Sequence, residues 1–216
     1  MASEETKERI IETAIELYNS RGCRSVTVDD IANSIHISKR TLYEIFESRD
    51  ELVLACLTRV HQTIYNLRQE MFDRSKDPLL MMLHIIRSTT DANLRYTRLL
   101  TDARRYYPKL NAQLVKSYST RFKASLHSLL DEAIERSDLR KGVDVDVAVD
   151  IMAYNIMKGI HYVIDDDAKD DLRNKLNESC FTYLRGLLSI KAIERYDRNE
   201  EKFRKIMESC DQNNDI

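Results

Sequence analysis

Apolar residues at Ile10, Ala14, Leu17 and Tyr18 recur at the spacing of one helical face, and Gly22 ends the run, so a first helix is expected from Ser3 to Arg21. Thr27-x-x-Asp30 opens a second, Val28 to Ser34: the Thr27 hydroxyl accepts from first-turn amides and Asp30 suits the positive helix end. Ser38 caps a third helix reaching about Phe46, and Ser48-x-x-Glu51 caps a fourth. The stripe Val53, Cys56, Leu57, Val60, Ile64, Leu67 and Met71 sustains that fourth helix for about five turns, as a connector over 51–72.

Asp77-Pro78 is a strong start for a helix running to about Thr101, since Asp accepts from free amides and Pro needs no amide partner in the first turn. Tyr107-Pro108 interrupts the chain. Leu110, Leu114, Tyr118, Phe122, Leu126, Leu129 and Leu130 then mark a helix ending near Gly142. Two more helices are expected, Val145 to Ile164 and Ala168 to Ile190, parted by Asp165-Asp166-Asp167, and then an amphipathic segment from Lys191 to Met207. The pattern predicts an all-α protein. A three-helix N-terminal domain with a helix-turn-helix (1–50) precedes a larger helical domain (51–210) and a polar tail (211–216).

Composition supports helix: 216 residues contain only 4 Gly and 2 Pro, with 32% charged and 43% apolar residues. A net charge of −2 excludes no partner, because placement rather than the sum governs binding. Residues 1–51 carry seven Lys and Arg against eleven Asp and Glu, a net −4, so the N-terminal module is no generic polycation. Cys23, Cys56, Cys180 and Cys210 are too widely spaced for a close-set metal motif and are expected as reduced thiols. No apolar run approaches the roughly 18 residues of a membrane span, and the acidic N-terminus lacks a leader's apolar core, so a cytoplasmic protein is expected. His84, His127 and His161 form no i, i+4 pair, and no Gly-rich phosphate loop, HExxH or nucleophile elbow is present. Neither an enzyme site, a metal nor a cofactor is expected.

The chemistry concentrates in residues 27–46. Ile31, Ile35 and Ile37 can hold two short helices around a tight turn, with Leu42 and Phe46 closing the inner face. The outer face then presents Ser38, Lys39, Arg40, Thr41 and Tyr43. A helix so displayed fits the major groove: its amino end aims amides at phosphate, Arg40 or Lys39 can donate to guanine, and Thr41 can meet a thymine methyl or a base edge.

Residues 9–57 closely resemble the N-terminal domain of the TetR family of bacterial transcriptional regulators, through Thr27, Ile31-Ala32, Ile37-Ser38-Lys39, Thr41-Leu42-Tyr43, Phe46 and Ser48-Arg49-Asp50-Glu51-Leu52. The segment Leu99 to Leu110 also looks like that family's more variable ligand domain. The resemblance implies a homodimer whose eighth and ninth helices form an intersubunit four-helix bundle. It also implies a palindromic double-stranded operator, and a small-molecule effector that releases the DNA. By position, Thr27, Tyr43 and Arg49 would hold phosphates, Lys39, Arg40 and Thr41 would lie nearest bases or backbone, and Ser38 and Leu42 complete the expected DNA-binding set. His36 stands where the family usually has Gly and would need a left-handed backbone. Arg40 replaces a common Gly, Ile45 a frequent polar or aromatic residue, and Glu44 adds negative charge near the groove.

In the larger domain, Tyr96, Tyr118, Phe122, Met152, Asn155 and His161 are candidates for lining an effector pocket, Met for its adaptability and Tyr or Asn for orientation. The broad apolar faces around Ile151, Ile156, Leu172, Leu184 and Leu188 are expected to serve both core and dimer interface. The rival reading is a helical ligand- or protein-binding dimer without sequence-specific DNA recognition, prompted by the acidic head and Glu44.

Overall fold

The computed structural model describes residues 4–72, 77–158 and 169–198. Among them lie ten helices: α1 (Glu4–Arg21), α2 (Val28–Ser34), α3 (Lys39–Ile45), α4 (Arg49–Phe72), α5 (Pro78–Arg95), α6 (Thr97–Tyr106), α7 (Pro108–Glu135), α8 (Val145–Lys158), α9 (Lys169–Leu187) and α10 (Ile190–Asp197). They form two compact units, one comprising residues up to 63 together with 95–118, the other 64–94 together with 119 onward. The first unit therefore contains α6 as well as the head anticipated over 1–50. The expected helix continuing to Ile164 and the segment continuing to Met207 run partly outside the described residues, as do Cys210, His161 and the tail 211–216.

In the first unit, Ile10, Ala14 and Tyr18 of α1 are fully buried with Ile31, Phe46, Leu52, Val53 and Leu57. Polar ties fix this small core. Arg9 Nη2 donates to the Ile35 carbonyl at 3.3 Å, and Glu8 pairs with Arg59. Buried Cys23 and Cys56 are free thiols, and desolvation pushes Cys23 up to about 12, so both remain protonated. Gly22, at φ +87, turns the chain out of α1, and its amide still closes on the Tyr18 carbonyl at 2.9 Å.

One long helix was expected from Pro78 to about Thr101; the chain instead breaks at Tyr96 and resumes as α6. No Gly or Pro marks the place. Asn19 of α1 supplies the missing partners, its Nδ2 donating to the Arg95 carbonyl at 2.6 Å and its Oδ1 accepting from the Leu99 amide at 3.5 Å. A side chain 76 residues away thus satisfies the helix end that the local sequence leaves open.

The second unit packs α5, α7, α8, α9 and α10 around Leu79, Met82, Ile86, Phe122, Leu126, Leu130, Val149, Met152, Cys180 and Leu184. Asp77 caps α5, accepting from Leu79 and Leu80 amides at 2.9 and 3.3 Å, as the Asp-Pro pair anticipates. Helix α7 ends at Glu135 rather than near Gly142, because Ser137 takes the left-handed conformation (φ 60) and the Asp138 amide closes back on the Ala133 carbonyl at 2.8 Å. Asp138 is buried, and its carboxylate takes both Arg195 guanidinium nitrogens at 3.0 and 2.8 Å. Its carbonyl accepts from the Ser189 amide at 2.8 Å. That contact stops α9 at Leu187, three residues short of the expected Ile190, and frees Ser189 to cap α10 through the Ala192 amide at 3.2 Å.

Two stability tests follow from these turns. With His36 at φ 58 in the turn between α2 and α3, His36→Gly should raise the denaturant midpoint at unchanged slope, a gain of up to about 1 kcal/mol, the left-handed cost at a non-Gly residue less the added freedom of Gly in the unfolded chain. Asp138→Ala should lower it by about 2–3 kcal/mol, since Arg195 loses two charge-assisted bonds.

Candidate nucleic-acid interface

Helices α2 and α3 are each only 7 residues long and hold their places through caps rather than propensity. Thr27 closes a full capping box: its Oγ1 accepts from the Asp30 amide at 3.1 Å and donates to Asp30 Oδ2 at 2.6 Å, while its own amide donates to Oδ2 at 2.7 Å. Those side-chain and backbone hydrogen bonds hold the Asp30 carboxyl below its ordinary range, so the cap is complete at neutral pH and weakens as pH falls through that lowered value. His36 then adopts φ 58, the left-handed conformation its position demands, as its amide meets the Asn33 carbonyl at 3.2 Å and the Ile37 amide meets the Ala32 carbonyl at 3.0 Å.

Ser38 opens α3, its Oγ accepting from the Thr41 amide at 3.0 Å and sharing a 2.8 Å hydrogen bond with the Thr41 hydroxyl. Leu42 is 1% exposed and packs inward, so its place in the expected DNA-binding set is corrected: it supports the helix from behind and cannot meet a base. Lys39, Arg40 and Tyr43 stand exposed on the opposite side, with Thr41 half-buried.

Both cations of α3 already hold carboxylates. Lys39 Nζ lies 2.9 Å from Asp29 Oδ2, a bond that raises the ammonium above its usual value, and Arg40 Nε lies 2.9 Å from Glu44 Oε1. The Arg40 side chain is 88% exposed, so this pairing is weak, worth under about 1 kcal/mol, and easily exchanged. The i, i+4 relation of Arg40 and Glu44 is legible in sequence; Asp29, reaching Lys39 from α2, is not.

Arg49, expected at phosphate, is half-buried, and its Nη2 donates to the Cys23 and Val26 carbonyls, the latter at 2.9 Å. It ties the first turn of α4 to the loop between α1 and α2. Ser48 Oγ accepts from the Glu51 amide at 3.2 Å, and the Glu51 carboxylate takes the Glu47 amide at 2.6 Å. Burial raises the Tyr107 phenol, and the positive charge of Arg49 opposes the rise.

The expected pocket residues fall in different surroundings. In the first unit, Tyr96 sits half-buried at the α5–α6 break, and Tyr118 stacks on His61 at 4.9 Å while its hydroxyl donates to Gln62 at 3.3 Å. In the second, Phe122 and Met152 are buried core residues and Asn155 is half-buried; His161 lies outside the described residues. A buried polar seam in this unit escaped sequence reading. Arg87 of α5 sits 3.6 Å from Asp91, whose other oxygen takes Arg173 of α9 at 2.8 Å, and neighbouring Asn177 keeps its buried Oδ1 without a hydrogen-bond partner among the described residues. The signal was the i, i+4 spacing of Arg87 and Asp91 in α5.

Among the described residues no helix is long and apolar enough to cross a membrane, and no group of three or more His, Cys, Asp or Glu side chains is placed to hold a metal ion.

The chain is similar to IcaR, the helix-turn-helix negative transcriptional regulator of the biofilm operon icaADBC. Identity to the Staphylococcus epidermidis protein is 27% over 134 residues, covering 61% of this chain and 69% of that one. To the Staphylococcus aureus (strain Newman) protein it is 33% over 81 residues, covering 36% and 43%. In fold it resembles CprB of S. coelicolor A3(2), a TetR family protein, at TM-score 0.66 and 20% identity over 95% of this chain and 99% of that one. A gamma-butyrolactone receptor superposes at TM-score 0.65 and 20% identity, covering 94% and 97%. Residues 10–56, which hold α2, the His36 turn and α3, match the family described as bacterial regulatory proteins, tetR family, so this part of the chain carries that family's amino-terminal domain.

Proposed function

We propose that the chain is a cytoplasmic repressor that binds a palindromic operator as a homodimer and releases it on binding a small effector. The observation that carries the DNA-reading part is the α3 surface. A helix fixed at its amino end by Ser38 holds Leu42 in the core and leaves Lys39, Arg40 and Tyr43 outward. On the operator, base edges and phosphates take over Lys39 and Arg40 from Asp29 and Glu44, so each cation exchanges one anion for another and sequence choice rests on the fit of the new partner. Repression is the role of IcaR, which supports that sign of regulation here.

Dimerisation is supported by α8, where Val147, Ile151 and Tyr154 are 51%, 38% and 60% exposed at i, i+4 and i+7. Three large apolar side chains on one helical stripe are costly to leave in water, and a second copy of the same helix is self-complementary to them. A symmetric pair of α3 helices then matches a palindromic site. For the effector, Arg87, Asp91 and Asn177 carry buried polar atoms without a hydrogen-bond partner among the described residues of the second unit, and a polar group on a bound molecule would find partners there. The similarity to a gamma-butyrolactone receptor supports responsiveness to a small molecule without naming it.

Binding to duplexes selected by the full-length chain from random-sequence DNA tests the α3 reading. Arg40→Ala should cost about 1–3 kcal/mol and relax choice at one base position, whereas Glu44→Gln should tighten binding slightly by removing the competing carboxylate. Equal affinity of Arg40→Ala and wild type for all duplexes would overturn the assignment. Ile151→Glu should shift the protein from dimer to monomer in sedimentation and weaken operator binding in parallel; a dimer that survives it places the interface elsewhere.

A further inference from the structure

The head read from sequence is acidic, yet the unit it belongs to is not. Residues up to 63 hold eight Lys and Arg against eleven Asp and Glu, and residues 95–118 add six against Asp102 alone, which brings the unit to a net +2. The reversal comes from α6 and the start of α7: Arg95, Arg98, Arg104, Arg105, Lys109 and Lys116, with no acidic residue between Asp102 and Asp131.

The placement of these charges is fixed. Asp102 Oδ2 accepts from the Cys23 amide at 2.6 Å, Arg98 donates to the Ser20 carbonyl, and Asn19 holds both sides of the α5–α6 break, so α6 is clamped along the end of α1. One turn beyond Asp102, the Tyr106 ring carries two guanidiniums, Arg24 with its Cζ 5.2 Å and Arg105 with its Cζ 5.4 Å from the ring centre. Arg24 lies three residues before Thr27, the cap of α2, in the loop that Arg49 ties to the start of α4. The end of α6 and the amino ends of α2 and α4 therefore gather around one loop. Arg24, Arg104, Arg105 and Lys109 are all exposed there.

Basic residues in a last turn complement the helix dipole, which accounts for Arg104 or Arg105. It does not account for Arg24, which is on another element, or for Lys109 beyond the helix end. Clustered like charges repel, and a polyanion relieves them. We propose that Arg24, Arg104, Arg105 and Lys109 form a second DNA-binding surface that grips the phosphate backbone flanking the base pairs read by α3. The inference rests on the α3 reading above, and adds to it a contact that carries no sequence information and compensates the acidic head. Guanidiniums suit phosphate because they donate two parallel bonds, and the Tyr106 ring holds two of them in place before DNA arrives.

The test uses a duplex recovered by the full-length wild type from random-sequence DNA, either trimmed to the selected base pairs or extended by roughly one helical turn, about 10 bp, on each side. For the double variant Arg104→Gln/Arg105→Gln, and separately for Arg24→Gln, affinity is followed across salt concentration, with unchanged thermal unfolding as the folding control. Wild type should bind the extended duplex more tightly and with the steeper salt dependence. The double variant should lose roughly two from the slope of log affinity against log salt per protomer, with about tenfold weaker binding, on the extended duplex only. Arg24→Gln should lose roughly one. Wild-type behaviour of both variants on the extended duplex, while Arg40→Ala weakens binding to either, overturns the second surface and leaves the α3 reading intact. Equal losses on trimmed and extended duplexes place the arginines over the read sequence and overturn the flanking assignment. Failure of wild type to recover any duplex overturns both readings.

Discussion

The loop between α1 and α2 is the constraint on which the DNA-reading unit turns. Gly22 takes the backbone out of α1 in a left-handed conformation, which leaves the amide of Cys23 and the carbonyls of Cys23 and Val26 without helical partners. Asp102 of α6 takes the amide and Arg49 of α4 takes the carbonyls. A Cβ at residue 22 would sit 3.0 Å from the Asp102 carboxylate, so a side chain there would crowd this neighbour as well as strain φ. Three helices are thereby tied to one short loop, and the loop delivers Thr27, whose capping box sets the direction of α2 and, through the His36 turn, of α3.

Arg49 shows how one residue can be matched by resemblance and still act differently. A guanidinium that donates to two backbone carbonyls has spent much of its fork inside the protein, and its contribution to DNA binding becomes the shape of the loop it holds. The cations that remain outward on α3 are paired with exposed carboxylates. Such surface pairs are nearly neutral in free energy, so the exchange on DNA costs little and contributes little generic attraction.

What was legible in the sequence was local. Thr27, Ser38, Ser48 with Glu51, and Asp77 announce their helices because a cap needs partners only three or four residues away. His36 was legible as a left-handed position from the resemblance, and the alternation around Ile31, Leu42 and Phe46 foretold the buried side. The breaks at Tyr96 and Leu188 were not legible, because Asn19 of α1 and Asp138 of the α7–α8 loop satisfy them from distant parts of the chain. Phe122 and Met152, plausible as pocket lining by residue type, are core by position. Aromatic and Met side chains suit either role, and only packing separates them.

Charge was misjudged for the same reason. Counting along the first 51 residues assumes that neighbours in sequence are neighbours in the field, whereas the head borrows α6 from 50 residues further on. Arg104 and Arg105 of α6 follow Asp102, a residue that anchors the helix, by two and three positions, so the bond that organises the loop also sets where their positive charge stands. The Asp102 carboxylate thereby links the backbone geometry of the loop to the electrostatic surroundings of the head, and a chain with this loop but without this helix would keep the motif and lose much of the positive field beside it.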